Sequence, residues 1–232
     1  MNKPISLSRQ QIAQLVAQDI PEGASVNLGI GMPTLVADYL PTDREILLHS
    51  ENGILGMGAA AEGDQADPDL INASRVPVML IPGASITDHA TSFAMMRGGR
   101  LDFSILGGFQ VACNGDLANW LTDAPDAIPA IGGAMDLAVG ARQVLVMMDH
   151  TTKSGETRLL AQCTYPLTGV GVVDTVYTNY AVVDVRDQRF ALRAIVDGMT
   201  VDELQAMTGA PLHVEGALRR IRLHGTGMAR IE

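Results

Sequence analysis

"ASVNLGIGMPTLVADYLPTDREILLHS", residues 24–50, decides how this chain folds. "ASVNLGI" reads as a strand. The chain turns at Gly31 and enters a helix with Pro33 near its first position, where a missing N–H is tolerated. "REILLHS" is the next strand, and Leu47 and Leu48 read as buried. A strand, a glycine turn, a helix and a second strand form one unit of an α/β fold.

The same alternation extends in both directions. Upstream, "SLSRQQIAQLVAQDIPEG" is a helix. Ser8 and Gln11 have capping-box spacing, Ile12, Leu15, Val16 and Ile20 share one apolar face, and Pro21 and Gly23 end it. Downstream, "VPVMLIPG" reads as a buried strand, "TDHATSFAMMRGG" as a helix with a glycine stop, and "LDFSILGGFQV" as one strand. "GGAMDLAVGA" is a short helix after a glycine turn, and "RQVLVMMD" a further strand. More strands fall near Val182 and Leu192, and the last clear helix starts at Thr200, spaced from Glu203 as a capping box. The expected fold is a single open, mostly parallel sheet flanked by helices on both faces. No linker, repeat or low-complexity segment divides it, so residues 1–232 read as one domain. The end, about 216–232, is left open between a flexible tail and a basic segment that docks locally.

The totals agree with a well-packed domain. Of 232 residues, 47% are hydrophobic and 18% charged, which supports a substantial core and argues against disorder. The net charge is −10 and the only lysines are Lys3 and Lys153, the wrong sign for a nucleic-acid partner. Acidity does not exclude an anionic small ligand, because backbone amides bind one locally. Cys113 and Cys163 lie far apart without CxxC spacing, which suggests a reducing compartment and no structural zinc. "MNKPISLSRQ" has no apolar leader region and no apolar run is long enough to span a bilayer, so a soluble cytoplasmic protein is expected. The acidic stretch "AEGDQADPD", residues 61–69, reads as a solvated turn.

One charge stands where the pattern asks for core. In "LLHSENGILGMG", residues 47–58, Glu51 follows a buried strand directly and precedes a turn at Asn52 and Gly53. Ligands of open parallel sheets sit beyond the carboxyl ends of the strands, so Glu51 should point into that crevice. Three glycine turns share the same edge: "NLGIGMP" with Asn27, Gly29 and Gly31, "LGGFQ" with Gly107 and Gly108, and "IGGAMDL" with Gly132 and Gly133. Such turns expose N–H groups and permit close approach. None matches the P-loop or the dinucleotide fingerprint, so ATP and NAD fit poorly. His49 reads as a packed core histidine. His150, beside Asp149, reads as half of a structural hydrogen-bonded pair more readily than as an acid/base couple. The serines lack a GxSxG elbow, the histidines lack metal-binding spacing, and the twelve methionines read as core filler.

Seven segments carry a resemblance. "NLGIGMPTLVADYL", "HSENGILGMG", "DLINA", "SFAMMRGG", "GDLANW", "GGAMDL" and "CTYPLTG" occur in the order seen in the B subunits of the 3-oxoacid CoA-transferases. The likeness runs from about Leu7 to about Pro211. It implies an α/β fold of the CoA-transferase type and CoA esters as substrates, with no permanently bound cofactor and no metal. It implies that Glu51, in Ser50-Glu51-Asn52-Gly53, is the nucleophile of a ping-pong cycle through a glutamyl-CoA thioester. It implies succinyl-CoA as the donor and a 3-oxoacid as the acceptor. "MMDHTTKSGETRLLAQCTYPLTG" leans toward 3-oxoadipate over acetoacetate. By similarity, the Gly132-Gly133 turn lies against the thioester end of CoA and Asn27 lies near the nucleophile, with Gly29, Gly31, Asn52, Gly53, Arg75 and Ala134 as further candidates for binding substrate or CoA. The expected partner is the homologous CoA-transferase A subunit, in an A2B2 heterotetramer.

One departure is Arg75, where the family often has a lysine two positions after "DLINA". A fork donor replaces a point charge there. Arg75 and Arg97 are the candidates for holding the second carboxylate of a dicarboxylic acceptor. The alternatives are an acetoacetate-specific B subunit, a sugar-phosphate isomerase of similar architecture, and a non-catalytic ligand-binding module.

Overall fold

The computed structural model describes residues 5–232; Lys3 and the first part of the opening "MNKPISLSRQ" lie outside them. The first helix is α1 (Arg9–Asp19). The strands are β1 (Ser25–Leu28), β2 (Leu47–Ser50), β3 (Ile54–Ala60), β4 (Val78–Ile86), β5 (Leu101–Gly107), β6 (Gln110–Ala112), β7 (Leu117–Ala118) and β8 (Ala141–Met147). They continue with β9 (Leu159–Leu160), β10 (Thr175–Tyr177), β11 (Ala181–Arg186), β12 (Arg189–Val196), β13 (Leu212–His213), β14 (Arg219–His224) and β15 (Met228–Ile231). The other α-helices are α2 (His89–Arg97), α3 (Ala134–Gly140) and α4 (Val201–Gln205).

Among the described residues, twelve strands form one sheet with a parallel centre, β2-β1-β5-β8-β10. Its strands are apolar on both faces, as covered parallel strands must be: Leu101, Ile105, Val144, Val146 and Val176 are all buried. Antiparallel strands extend both sides, β3 and β4 beyond β2, and β11 and β12 beyond β10. The sheet is therefore α/β and mixed, parallel where the helices cover it. A small second sheet, β7-β6-β9, packs apart.

The capping signals hold in detail. Ser8 and Gln11 exchange both capping bonds, as do Thr200 and Glu203. Each box satisfies amides that a helix start leaves unpaired. Ile12, Leu15, Val16 and Ile20 are fully buried.

Four local readings need correction. The helix after Gly31 is a 3-10 helix, Met32–Tyr39. Thr34 donates both its N–H and its hydroxyl to the Gly31 carbonyl, three residues back, and this favours the tighter winding. "LDFSILGGFQV" is two strands in different sheets, because Gly108 breaks the run where a Cβ would sit 2.7 Å from Val146 Cγ1. "VPVMLIPG" is only partly buried: Val78 is in the core, but β4 is an open edge, with Met79 and Ile81 exposed and Ile86 exposed at its end. Leu47, at the first position of β2, is likewise exposed, while Leu48 is buried.

The tail joins the sheet. β14 pairs in parallel with β12, and β15 pairs antiparallel with β14. Gln11, Gln14 and Gln18, on one face of α1, hold this hairpin: Gln11 donates to the Gly227 carbonyl, Gln18 to that of Ala229, and Gln14 accepts from the Ala229 amide, each at 2.9 Å. Residues 219–231 are thus ordered by backbone pairing as well as by α1.

Candidate active site

The parallel centre puts the carboxyl ends of β1, β2, β5, β8 and β10 on one rim. A cleft of about 700 Å³ runs along it, within the usual range for small-ligand sites. Gly29 enters from the end of β1, Glu51 from β2, Gly107 and Gly108 from β5, Asp149 from the segment after β8, and Asn179 from that after β10. Gly132, Gly133 and Ala134 close it from the start of α3. The three glycine turns read from the sequence therefore meet at one place.

Glu51 is half-buried, and burial raises its carboxyl above the usual glutamate range; the nearby His89 pulls it back down. Its carboxylate lies directly against Gly133. A Cβ on Gly133 would overlap Glu51 Oε2 and come within 3.2 Å of Phe93 Cζ. His89 and Phe93, one turn apart on α2, pack with ring centroids 4.4 Å apart and planes tilted by 60°. Among the described residues, the N–H groups of Gly132 and Gly133 meet no backbone acceptor, whereas Ala134 N–H is committed to the Ile131 carbonyl. Two unpaired amides thus lie in the turn that touches the carboxylate.

A buried hydrogen-bond chain fixes the backbone at Glu51. Parallel register sets Asn27 beside His49. Asn27 Nδ2 lies 3.0 Å from His49 Nδ1, His49 Nε2 lies 3.0 Å from Ser92 Oγ, and Ser92 Oγ donates to the Glu51 carbonyl at 2.9 Å. Because Ser92 spends its hydrogen on Glu51, it accepts from His49 Nε2–H, and His49 Nδ1 accepts from Asn27. Every link fits a neutral imidazole, and burial lowers His49 to about 4. Asn27 thus acts beneath the cleft and does not line it.

Other candidates stand away from the cleft wall. Gly31 takes φ +88° at the exposed start of the 3-10 helix. Asn52 donates to the Ile71 carbonyl at 2.7 Å. Gly53 takes φ +118° and presses on the Thr87 carbonyl, where no side chain fits. Arg75 is exposed on a turn at φ +62°. Arg97 is paired with Asp136 at 2.6 Å. Neither arginine lines the cleft. His150 does not pair with Asp149: it is fully buried between the hydroxyls of Thr178 and Thr208, at 3.0 and 2.9 Å, and burial lowers it to about 4.

Residues that the sequence reading passed over are Ser92, His89 and Phe93 on α2, and Arg9, Asn119, Lys153 and Arg158 on the cleft wall. Asn119 lies within "GDLANW", and Lys153 and Arg158 within "MMDHTTKSGETRLL". Their segments were legible, but their direction was not. Among the described residues no helix is long and apolar enough to cross a membrane, and no cluster of three or more His, Cys, Asp or Glu side chains is arranged to hold a metal. Cys113 and Cys163 are free thiols.

Comparison with known proteins places this geometry. The coenzyme A transferase family pattern matches residues 9–206. The chain is 56% identical over 206 residues to the B subunit of 3-oxoadipate CoA-transferase from Pseudomonas putida, covering 89% of this chain and 96% of that one. It is 54% identical over 206 residues to the protein of the same description in Acinetobacter baylyi, covering 89% and 95%. In fold it resembles an acyl-CoA transferase from Escherichia coli O157:H7, with a TM-score of 0.74 at 18% identity, covering 96% of this chain and 44% of that one. With the family pattern spanning most of its length and two relatives above half identity, this chain belongs to the coenzyme A transferase family.

Proposed function

We propose that this chain, acting as one domain, is the catalytic-glutamate subunit of a CoA-transferase that moves CoA from succinyl-CoA to 3-oxoadipate. The observation that carries the reading is the half-buried Glu51 carboxylate, held at the end of β2 against Gly133 in the rim cleft. A carboxylate in water is a weak nucleophile because it is well solvated. Part of that hydration is lost here while the charge is held in line for attack.

Glu51 attacks the thioester carbonyl carbon of succinyl-CoA. The CoA thiolate leaves, and a mixed anhydride of Glu51 and succinate remains. The thiolate then attacks the glutamyl carbonyl carbon, succinate departs, and Glu51 carries CoA as a thioester. The carboxylate of 3-oxoadipate attacks that thioester and expels the thiolate. The thiolate returns to the 3-oxoadipyl carbonyl and frees Glu51. The Gly132 and Gly133 amides receive the oxyanion that develops at each attack, and one such donor in a dry site contributes about 3 kcal/mol. The Asn27–His49–Ser92 chain keeps the Glu51 backbone from moving as its side chain changes partners.

The homologous A subunit closes the cleft and keeps water from the anhydride, and the pair works in the cytoplasm as an A2B2 assembly. The exposed apolar side chains Ile30, Met79, Ile81 and Ile86 support a partner surface on this chain. Two free cysteines support a reducing compartment.

The test is a half-reaction. The assembled enzyme, given succinyl-CoA without acceptor, should release succinate and retain CoA on Glu51. Borohydride reduction should then mark the peptide containing "HSENG". A mark elsewhere, or initial rates that require both substrates bound together, would sink the mechanism. Acceptor choice is a separate test: kcat/KM should favour 3-oxoadipate over acetoacetate. The reverse order would make this the acetoacetate-specific form of the same chemistry.

A further inference from the structure

Three cations line the cleft that Glu51 occupies: Arg9 at the start of α1, and Lys153 and Arg158 after β8. The chain has 16 lysines and arginines against 26 acidic residues, so three cations lining one cleft call for an explanation. Among the described residues, none of the three has a carboxylate within 4.0 Å or a side-chain hydrogen bond, although ion pairs engage seven other basic residues, from Arg97 to His224. Glu156, the obvious mate for Lys153, is turned away. Its carboxylate accepts from the hydroxyls of Thr152 and Ser154 within its own loop. That loop is closed by the Thr151–Thr157 bridge and presents Lys153 to solvent. Arg158 is half-buried and makes no ion pair, although Asp123 and Glu156 line a neighbouring pocket with it, an arrangement that leaves it free to meet an anion from outside.

We infer that Lys153 and Arg158, with Arg9 lining the same cleft, bind the phosphate groups of coenzyme A. The inference rests on the CoA-transferase reading above and deepens it. Reach decides between the two anions available. β8 stands three strand spacings from β2, roughly 14 Å. The free carboxylate of a succinyl or 3-oxoadipyl group lies within about 7 Å of its thioester carbon, taking extended-chain bond lengths. The pantetheine arm places the first phosphate about 15 Å from the thioester sulfur on the same measure. A phosphate at that distance spans the full separation of the two strands, whereas an acyl carboxylate spans about half of it. Asp149 and the neutral Asn179 share this wall. Asp149 opposes an anion locally, so the cations must outweigh it.

The experiment is calorimetric titration of the assembled two-subunit enzyme, wild type and K153A/R158A, with CoA and with phosphate-free pantetheine. Neither ligand carries an acyl group, so no turnover is needed. The Kd for CoA should rise at least about tenfold, the loss expected for one or more charge-assisted hydrogen bonds, and that for pantetheine should stay within about twofold. Equal weakening of both ligands, or of neither, overturns the inference. A raised KM for 3-oxoadipate with an unchanged Kd for CoA also overturns it and assigns the cations to the acceptor. Absence of transfer in the wild type would count against the proposed function, while the CoA titration would still judge this site.

Discussion

Glu51→Gln should abolish CoA transfer, by at least about 10⁴-fold in kcat, in a protein that folds as well as the wild type. Glutamine keeps the shape of the side chain but cannot form the anhydride or carry CoA as a thioester. Glu51→Ala should be equally inactive. The stability side follows from the raised carboxyl. Burial lifts the folded-state pKa of Glu51 above its ordinary value of 4.5, so the folded chain binds the extra proton more readily than the unfolded one. That favours folding as pH falls through the raised value and disfavours it above, where the carboxylate is ionised. Removing the charge should therefore leave the Tm at neutral pH unchanged or higher. Activity should behave in the opposite sense: the acid limb of kcat/KM should lie above the range of an exposed glutamate, because only the ionised form attacks. Near-normal turnover in Glu51→Gln would end the nucleophile assignment. A collapsed Tm would show that the carboxylate is structural.

Gly133→Ala should cut kcat/KM by about 100-fold with little change in Tm. The new Cβ would overlap Glu51 Oε2 and crowd Phe93 Cζ at 3.2 Å. The backbone itself tolerates alanine there, at φ −86° and ψ 5°. The strain therefore falls on the free end of Glu51, which swings away, and an error of about 1 Å in a reacting group costs on the order of 10² in rate. Gly132→Ala is the informative control. That residue sits at φ +48° with open space around its Cβ position, so alanine should cost roughly 1 kcal/mol of stability and leave Glu51 in place. Equal activity losses in the two variants, measured beside thermal melts, would refute the contact argument.

The two variants also separate what is local from what is not. That Gly132 must turn the chain is legible in "IGGAMDL", since two glycines ahead of an apolar run mark a turn into a helix. That Gly133 must leave room for a carboxylate 82 positions away in sequence is not. Arg75 and Arg97 were reasonable anion holders by type and neighbourhood. Yet Arg97 meets Asp136 on the adjacent α3, and Arg75 caps a turn outside the cleft. His150 sits next to Asp149 in sequence, but past the end of β8 the chain turns Asp149 to the cleft and buries His150. Its partners are Thr178 and Thr208, on later segments.

What the sequence determined by itself is what short-range physics controls. Residues 24–50 encode a strand, a turn, a helical segment and a strand, Ser8 and Thr200 start helices, and Glu51 follows the end of a strand that β pairing will bury. Each depends on periodicity, capping or the backbone freedom of glycine within a few residues. The order of strands across the sheet depends on none of these. β1 lies between β2 and β5, and β5 pairs with β8, so turns from distant parts of the chain meet at one rim. Only that order brings Gly133 against Glu51, brings Lys153 and Arg158 to the wall of the same cleft, and gives the last residues a strand to pair with. Such contacts are selected by burying both faces of the whole sheet at once, a condition that no single stretch of sequence carries.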